Sequence, residues 1–450
     1  MSDGRDDLSA PGVADRSFAA LTTWLDDRLA TAEVPGAAVG IVIGNQVFTH
    51  AYGVQTAGAP TPTSAATTFR VASLTKVFTA AAVARLAHAG RIDIQQPVRE
   101  ILPGFGVADA EASAAVTTAH LLAHSAGWAD AIDPDSTHDS LGYYVDRMKV
   151  LPQVAPVGRY LSYSNSGYLL AGHLLATVSG REYEAVIHSE VIDPLGLSHT
   201  GFPADNLVFA PAAGGHARGD NGPAPIDAGP SPRAANPAFG LVSSVDDLVT
   251  FLQAQLQTED SSPFASMLTP SGPGGSVGPT VVDAVGMGWM LREVDGHRFA
   301  MSQGSDTGYC AAMALAPTDD FAVAVLTNSD AALMLVNDTV WQAAALFLGV
   351  TLEPVSPVAV DAAHLEAASG RFALWDGMAF EVGQQDGGLV LATTVGGHPL
   401  PALAGPLTLT GADRGCLAAL GGQVWFDFVR GDEGTVDWLR FAGRLAPRVG

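Results

Sequence analysis

Apolar residues recur at helical spacing from Phe18 to Leu29 (Phe18, Leu21, Trp24, Leu25, Leu29), which predicts an amphipathic helix laid on a core by one face. Ala37–Ile43 is apolar and rich in β-branched residues. Gly44-Asn45 and then Gln46–Tyr52 follow, a strand, a turn that tolerates positive φ, and a second strand. Thr68–Val71 reads as a short extended lead into a helix from about Ser73 to His88, with Gly90 just past its end. Further helical patterns cover Ala119–His124, Gly167–Val178, Glu182–Val191, Val245–Leu256 and Val336–Phe347. Strand patterns cover Gly286–Leu291, Arg298–Met301, Tyr309–Leu315 and Phe321–Thr327. Asp205–Phe239 is rich in Gly, Pro and Ala and reads as a long loop.

The texture changes after Thr351–Asp361, which carries Pro354 and Pro357 without periodicity and reads as a linker over 351–361. Beyond it, Arg371–Phe380, Leu389–Ala392, Pro406–Leu409, Val424–Val429 and Val436–Phe441 are short strand patterns separated by Gly and Asp turns. The expected organisation is a disordered lead over 1–15, a mixed α/β (α+β) domain over 16–350, the linker, and a small all-β domain over 362–450. No internal repeat is visible.

With 450 residues, 48% of them hydrophobic, the chain can bury a large core. A formal charge of −24 makes nucleic acid and anionic membranes poor partners. No apolar run approaches the roughly 18 residues of a membrane span, and the acidic start Met1–Asp7 lacks the apolar stretch of a signal peptide. The expected location is therefore cytoplasmic. Cys310 and Cys416 are too few and too far apart for a disulfide framework or a zinc site, and the 12 histidines show no ligand spacing. No metal and no organic cofactor is expected.

Among the basic residues only Lys76 and Lys149 are lysines. Lys76 closes Ser73-Leu74-Thr75-Lys76. Residues three apart share a helix face, so the serine hydroxyl and the lysine amine can meet. A serine needs a base to become a nucleophile, and a lysine serves once burial lowers its pKa. A serine near a helix N-terminus also has free backbone N–H groups at hand for an oxyanion. The apolar flanks Phe69, Val71, Val77 and Phe78 argue for burial against the simpler reading of a capping serine and a solvated lysine. Tyr163-Ser164-Asn165, just before a helical pattern, offers a phenol for proton transfer and an amide for a substrate carbonyl. Taken alone, these three read as ordinary turn residues.

Together these segments resemble the class C β-lactamases and their esterase and D-aminopeptidase relatives, the penicillin-recognising serine enzymes. Phe69–Lys76 is similar to the family's nucleophile segment and Ser162–Tyr168 to its second motif. His120–Gly127, Asp193–Leu197, Gly240–Leu248 and Gly286–Trp289 follow in order, over roughly residues 18 to 350. The C-terminal part is similar to the lipocalin-like domain that many relatives append. The resemblance implies Ser73 as nucleophile, Lys76 and Tyr163 as proton carriers, and Asn165 on the substrate. The third motif departs: where the family has Lys or His, one residue and Gly, this chain has Ser302-Gln303-Gly304. The implied oxyanion hole is the N–H pair of Ser73 and Ser305. Loss of the cation at Ser302 turns the expectation away from β-lactams and D-Ala-D-Ala peptides.

Arg440, Arg444 and Arg448 cluster near the C-terminus. The bland reading is a salt-bridging set. The sharper one is that Arg440 or Arg444 reaches the active-site mouth and holds a substrate carboxylate. Gly274-Gly275-Ser276-Val277-Gly278 matches a hydrolase elbow, but it is read as loop and rejected. His124, beside Ser125 and Gly127, is read as a satisfied turn histidine rather than a triad member. The functional expectation is an acyl-Ser73 enzyme acting on a small-molecule or peptide ester, thioester or amide, with water or an amine or alcohol acceptor. An intracellular transacylase, peptide-cyclising thioesterase or esterase/amidase of specialised metabolism fits first. A β-lactamase or D-Ala-type peptidase is the alternative, and a non-catalytic ligand-binding module is the rival from another class.

Overall fold

The computed structural model describes residues 12–130, 138–203, 212–219, 222–227, 229, 231–257 and 261–449. The first helix, Val13–Thr31, begins before its apolar stripe does, so the end of the expected disordered lead is helical and residues 1–11 lie outside the described ones. The hairpin Gly36–Ile43/Gln46–Gly53 joins an antiparallel eight-stranded sheet. From that edge the sheet continues through Phe321–Thr327, Tyr309–Ala316, His297–Asp306, Met290–Val294, Thr280–Val285 and Gly272–Val277.

Both faces of this sheet are covered, which explains central strands that read as continuous apolar runs: Tyr309–Ala316 and Phe321–Thr327 are buried at every position. Side chains alternate between two cores. Val39, Ile41, Ala312, Ala314, Val323 and Val325 face the helices Val13–Thr31 and Leu333–Leu348. Ala38, Val42, Ala311, Met313, Ala322 and Ala324 face a helical layer that includes Thr75–His88 and Val245–Leu256. The stretch Asp330–Leu348 has the length and hydropathy (mean 1.4) of a membrane span, but 61% of its apolar window is buried inside the fold.

Two loop expectations need correcting. Within Asp205–Phe239 the described residues form a hairpin, Gly215–Gly219/Gly222–Ile226, and short helical turns at Arg233–Ala235 and Asn236–Phe239. The rest of that stretch is only partly described. The hairpin is held by tertiary contacts rather than propensity: buried His216 accepts from Ala57 N through Nε2 (2.9 Å), and its Nδ1 lies 2.8 Å from Asn328 O. Gly272–Val277, read as loop, is the edge strand of the large sheet. Its Pro273 fits an edge position, where one side of the strand needs no ladder partner.

After the irregular stretch 351–361 and the unforeseen helix Ala362–Ala368, a nine-stranded antiparallel sheet curls into a nearly closed barrel. Its first and last strands meet at the Phe372–Arg448 bridge and at Val449 N to Arg371 O (2.8 Å). Phe372, Phe380, Phe426, Phe428 and Phe441 fill it. The single run read at Arg371–Phe380 is two strands, Gly370–Ala373 and Met378–Gln385, and the strands Arg414–Ala419 and Arg444–Pro447 went unread. The barrel docks on the exposed sheet edge: Trp425 N donates to Gly278 O (2.8 Å), and Ser276 N to Asp427 Oδ2 (2.7 Å). An open strand edge is thereby covered.

Candidate active site

The nucleophile segment is built by a change of conformation over five residues. Phe69–Arg70 pairs with Val242–Ser243 as a two-stranded ribbon, Ala72–Leu74 forms a 3₁₀ turn, and Thr75–His88 continues as an α-helix. Ala72 holds φ +47°, a left-handed conformation that costs an L-residue free energy and is found where surrounding structure over-determines it. Thr75 Oγ1 locks the turn by donating to Ala72 O (2.6 Å) and accepting from Leu241 N (3.1 Å). The strand His297–Asp306 comes so close that a Cβ on Gly304 would lie 2.3 Å from Val71 O and 3.0 Å from Ser73 N. Only glycine permits that approach. On the other side Gly288, at φ +80°, lies against the Lys76 turn, where a Cβ would meet Ala80 Cβ at 2.9 Å.

Ser73, Lys76 and Tyr163, 90 residues apart at the extremes, come together. Ser73 Oγ is 3.0 Å from Lys76 Nζ and accepts from Tyr163 OH at 2.9 Å. Lys76 is 3% exposed, and its Nζ also donates to Ala238 O (2.8 Å) and stands 5.0 Å from the Tyr163 ring centroid. Burial lowers the lysine pKa, opposed by the nearby Tyr163 and Asp130 and helped by Arg444. This is the direction a lysine base requires. Those three residues line a small cavity of about 50 Å³ with His124, Val277, Thr280, Gly288, Met290, Met301, Ser302 and Gln303.

Ser302 and Gln303 both sit on that cavity's wall, and the Gln303 amide donates to Asn337 Oδ1 (2.7 Å). Ser305, one residue past Gly304, is exposed and pairs with Cys310 across the sheet. Asn165 opens the helix Asn165–Ser179; its side-chain Oδ1 is buried without a partner, and it is not among the residues lining the cavity. Arg440 does not reach the mouth. It is 5% exposed, paired with Asp427 (2.6 Å) and donating to Leu161 O (3.0 Å). Its β-strand neighbours point it at the domain junction instead, which corrects the expectation that it binds substrate. Arg448 likewise bonds to the carbonyls of Ser369 and Ala367. Arg444 does come close: its guanidinium carbon is 6.0 Å from the Tyr163 ring centroid, and its Nε is buried with no partner.

Sequence reading missed Asp130. Its carboxylate accepts from Ser164 Oγ, Asn165 N, Ser166 N, Ser166 Oγ and Arg444 Nη2, all between 2.8 and 3.1 Å. Burial pushes its pKa up, but Arg444 and these donors outweigh it and hold the carboxylate below its ordinary range. A negative charge there also suits a helix N-terminus. No local motif marks it, since its partners lie 34 and 314 residues away. His124 accepts from Ser164 N through Nδ1 (3.0 Å) and stacks on Tyr163 with centroids 4.2 Å apart. Burial and the Lys76 charge take its pKa down to about 3, so it is a neutral prop. Among the described residues no cluster of three or more His, Cys, Asp or Glu side chains is arranged to hold a metal.

The sequence is similar to penicillin-binding protein 4 of Amycolatopsis lactamdurans, 28% identical over 357 residues, which cover 75% of this chain and 93% of that protein. Among solved structures, SurE superposes with a TM-score of 0.75 at 23% identity, over 97% of this chain and 100% of SurE, and has also been solved with D-Leu. The D-amino acid amidase of Ochrobactrum anthropi SV3, complexed with L-phenylalanine amide, superposes with a TM-score of 0.63 at 23% identity, over 74% of this chain and 99% of the amidase. The sequence model of the Beta-lactamase family matches residues 21–346, and with the fold just described this chain belongs to that family of serine hydrolases.

Proposed function

We propose that the protein carries acyl groups on Ser73, taking them from an ester, thioester or amide and passing them to water or to an amine or alcohol. The observation that carries this reading is Ser73 Oγ held between Lys76 Nζ at 3.0 Å and Tyr163 OH at 2.9 Å. Neutral Lys76 accepts the Ser73 proton as Oγ bonds to the substrate carbonyl carbon. The resulting oxyanion faces the close approach of Gly304 to Ser73 N, with the N–H groups of Ser73 and Ser305 as its donors. Collapse expels the leaving group, which takes its proton from Lys76 through Tyr163. The acceptor then gives a proton to the same pair and attacks the acyl carbon, and the pair passes that proton to Ser73 Oγ as the acyl bond to it breaks.

A carboxylate-bearing substrate is favoured by Arg444. Its guanidinium, 6.0 Å from the Tyr163 ring centroid and lining the cleft beside Asp130, would supply the cation that Ser302 lacks. A specialised-metabolism transacylase, cyclising thioesterase or amidase fits these features better than a β-lactamase. Incubation with a fluorophosphonate and with a labelled penicillin, read by intact mass, tests the chemistry. A single adduct that disappears in Ser73→Ala supports it. No adduct from either reagent or from a panel of thioesters favours a non-catalytic binding module.

A further inference from the structure

The β-turn that joins the last two barrel strands lies against Tyr163. Val436–Phe441 and Arg444–Pro447 pair with Phe441 opposite Arg444, leaving the two-residue turn Ala442-Gly443. Both residues have positive φ, +48° and +82°. That is the type I′ geometry of tight hairpins, in which Asn or Gly is at ease and alanine is not. The Gly443 carbonyl accepts the backbone N–H of Tyr163 at 2.8 Å. A Cβ on Gly443 would stand 3.2 Å from Tyr163 Cβ and 3.4 Å from Val277.

The neighbouring residues extend the same grip. Arg440 Nε donates to Leu161 O (3.0 Å), and Leu445 N donates to Ser162 Oγ (3.3 Å). Arg444 lies over the Tyr163 ring and binds Asp130, the carboxylate that organises Ser164, Asn165 and Ser166. Residues 161, 162 and 163 are thus each tied to the barrel, while the large sheet and its helices supply Ser73 and Lys76.

We infer that the Ala442-Gly443 turn of the C-terminal barrel is a positioning element for Tyr163, so that the phenol meets Ser73 only while the barrel is seated. This rests on the acyl-Ser73 reading above. The turn has no side chain longer than a methyl group, which lets its backbone sit against the tyrosine. The positive φ of Ala442 belongs to the two-residue hairpin itself, as at Asp386-Gly387 and Leu420-Gly421; what sets this turn apart is that Gly443 has Tyr163 against it where those glycines face open space. Gly443 touches no reacting atom, and its nearest neighbour is Tyr163, with Val277 next.

The test uses the full chain with Gly443→Ala and Gly443→Asn, and Gly434→Ala as control. Gly434 turns the preceding barrel hairpin at φ +78° with open space around its Cβ, so alanine there carries the same backbone strain without touching the site. Asn tolerates left-handed φ better than alanine, so the Asn variant adds a side chain with less backbone strain. The readouts are the melting temperature and the pH dependence of Ser73 labelling by a fluorophosphonate. Gly443→Ala should melt only slightly below Gly434→Ala, since the backbone strain is shared and only the 3.2 Å contact with Tyr163 is added. Both Gly443 variants should label at least about fivefold more slowly at the plateau, because a few tenths of an ångström separates productive from unproductive geometry. Their acid limb should also move to lower pH, since Lys76 loses the neighbour that holds its pKa up. Equal labelling rates and equal pH limbs for the Gly443 and Gly434 variants overturn the inference. A wild-type protein that takes no label at Ser73 overturns the acyl-serine reading instead.

Discussion

Replacing Asp130 with Asn tests whether one buried carboxylate organises the Tyr163–Asn165 segment. Oδ1 accepts from Ser164 Oγ, Ser166 N and Ser166 Oγ, while Oδ2 accepts from Asn165 N and Arg444 Nη2. All five partners are donors, and an asparagine side chain offers only one acceptor atom. With its oxygen toward the three-donor side, its amide nitrogen faces Asn165 N–H and the Arg444 guanidinium. Two charge-assisted bonds are lost at about 1.5–3 kcal/mol each. Part of this is offset, because the desolvation cost of the carboxylate also disappears. Arg444 keeps 30% of its side-chain surface exposed and can be hydrated, which discounts its share further. The net expectation is a loss of about 2–4 kcal/mol, read as a lowered urea midpoint with unchanged slope.

The pH dependence gives a second reading of the same substitution. The folded pKa of Asp130 is depressed, so its contribution is fully present above the unfolded value of about 4 and is lost as pH falls through the folded pKa. The stability gap between wild type and Asp130→Asn should therefore be widest near neutrality and close below about pH 4. A gap under about 1 kcal/mol at pH 7, or one that stays constant down to pH 3, refutes the assignment.

Four further outcomes follow from the geometry. Lys76→Ala should lower the Ser73 labelling rate by about 10²–10⁴-fold, and the wild-type rate should rise with pH through a pKa below the ordinary lysine value, both read from a pH–rate profile. Arg440→Ala should cost about 1.5–3 kcal/mol in a urea melt, since Asp427 loses one charge-assisted bond but keeps Arg414 at 2.6 Å, whereas Arg444→Ala should both lower the urea midpoint, by removing the Asp130 ion pair, and raise KM for carboxylate-bearing acyl donors over their methyl esters. Ser302→Lys should increase acylation by a labelled penicillin, because it restores a cation on the cavity wall. Gly304→Ala should abolish labelling while Ser302→Ala does not, since a Cβ at residue 304 meets Val71 O at 2.3 Å.

Periodic elements were legible because their burial is one-sided or complete over many residues. The helix Val245–Leu256 has the very bounds its apolar spacing gave, and the strand Val436–Phe441 likewise. What failed were segments whose conformation depends on distant partners. Gly272–Val277 has the composition of a loop, and it is a strand because Thr280–Val285 on one side and the barrel on the other supply its partners. The hairpin inside Asp205–Phe239 stands on His216 in the same way.

By itself the sequence determined the apolar runs that become the central strands, the three-residue spacing that lets Ser73 and Lys76 meet, and the segment carrying Tyr163. Those follow from spacings of a few residues, where the chain's own geometry dictates who can meet. Tertiary structure alone decided that Asp130 organises the second segment, that Arg440 is a buried strut while Arg444 pairs with Asp130 beside Tyr163, and that a barrel turn abuts the tyrosine. Each of these joins residues tens to hundreds of positions apart. Their proximity is set by packing within each unit and by how the two units dock, and no local pattern encodes that.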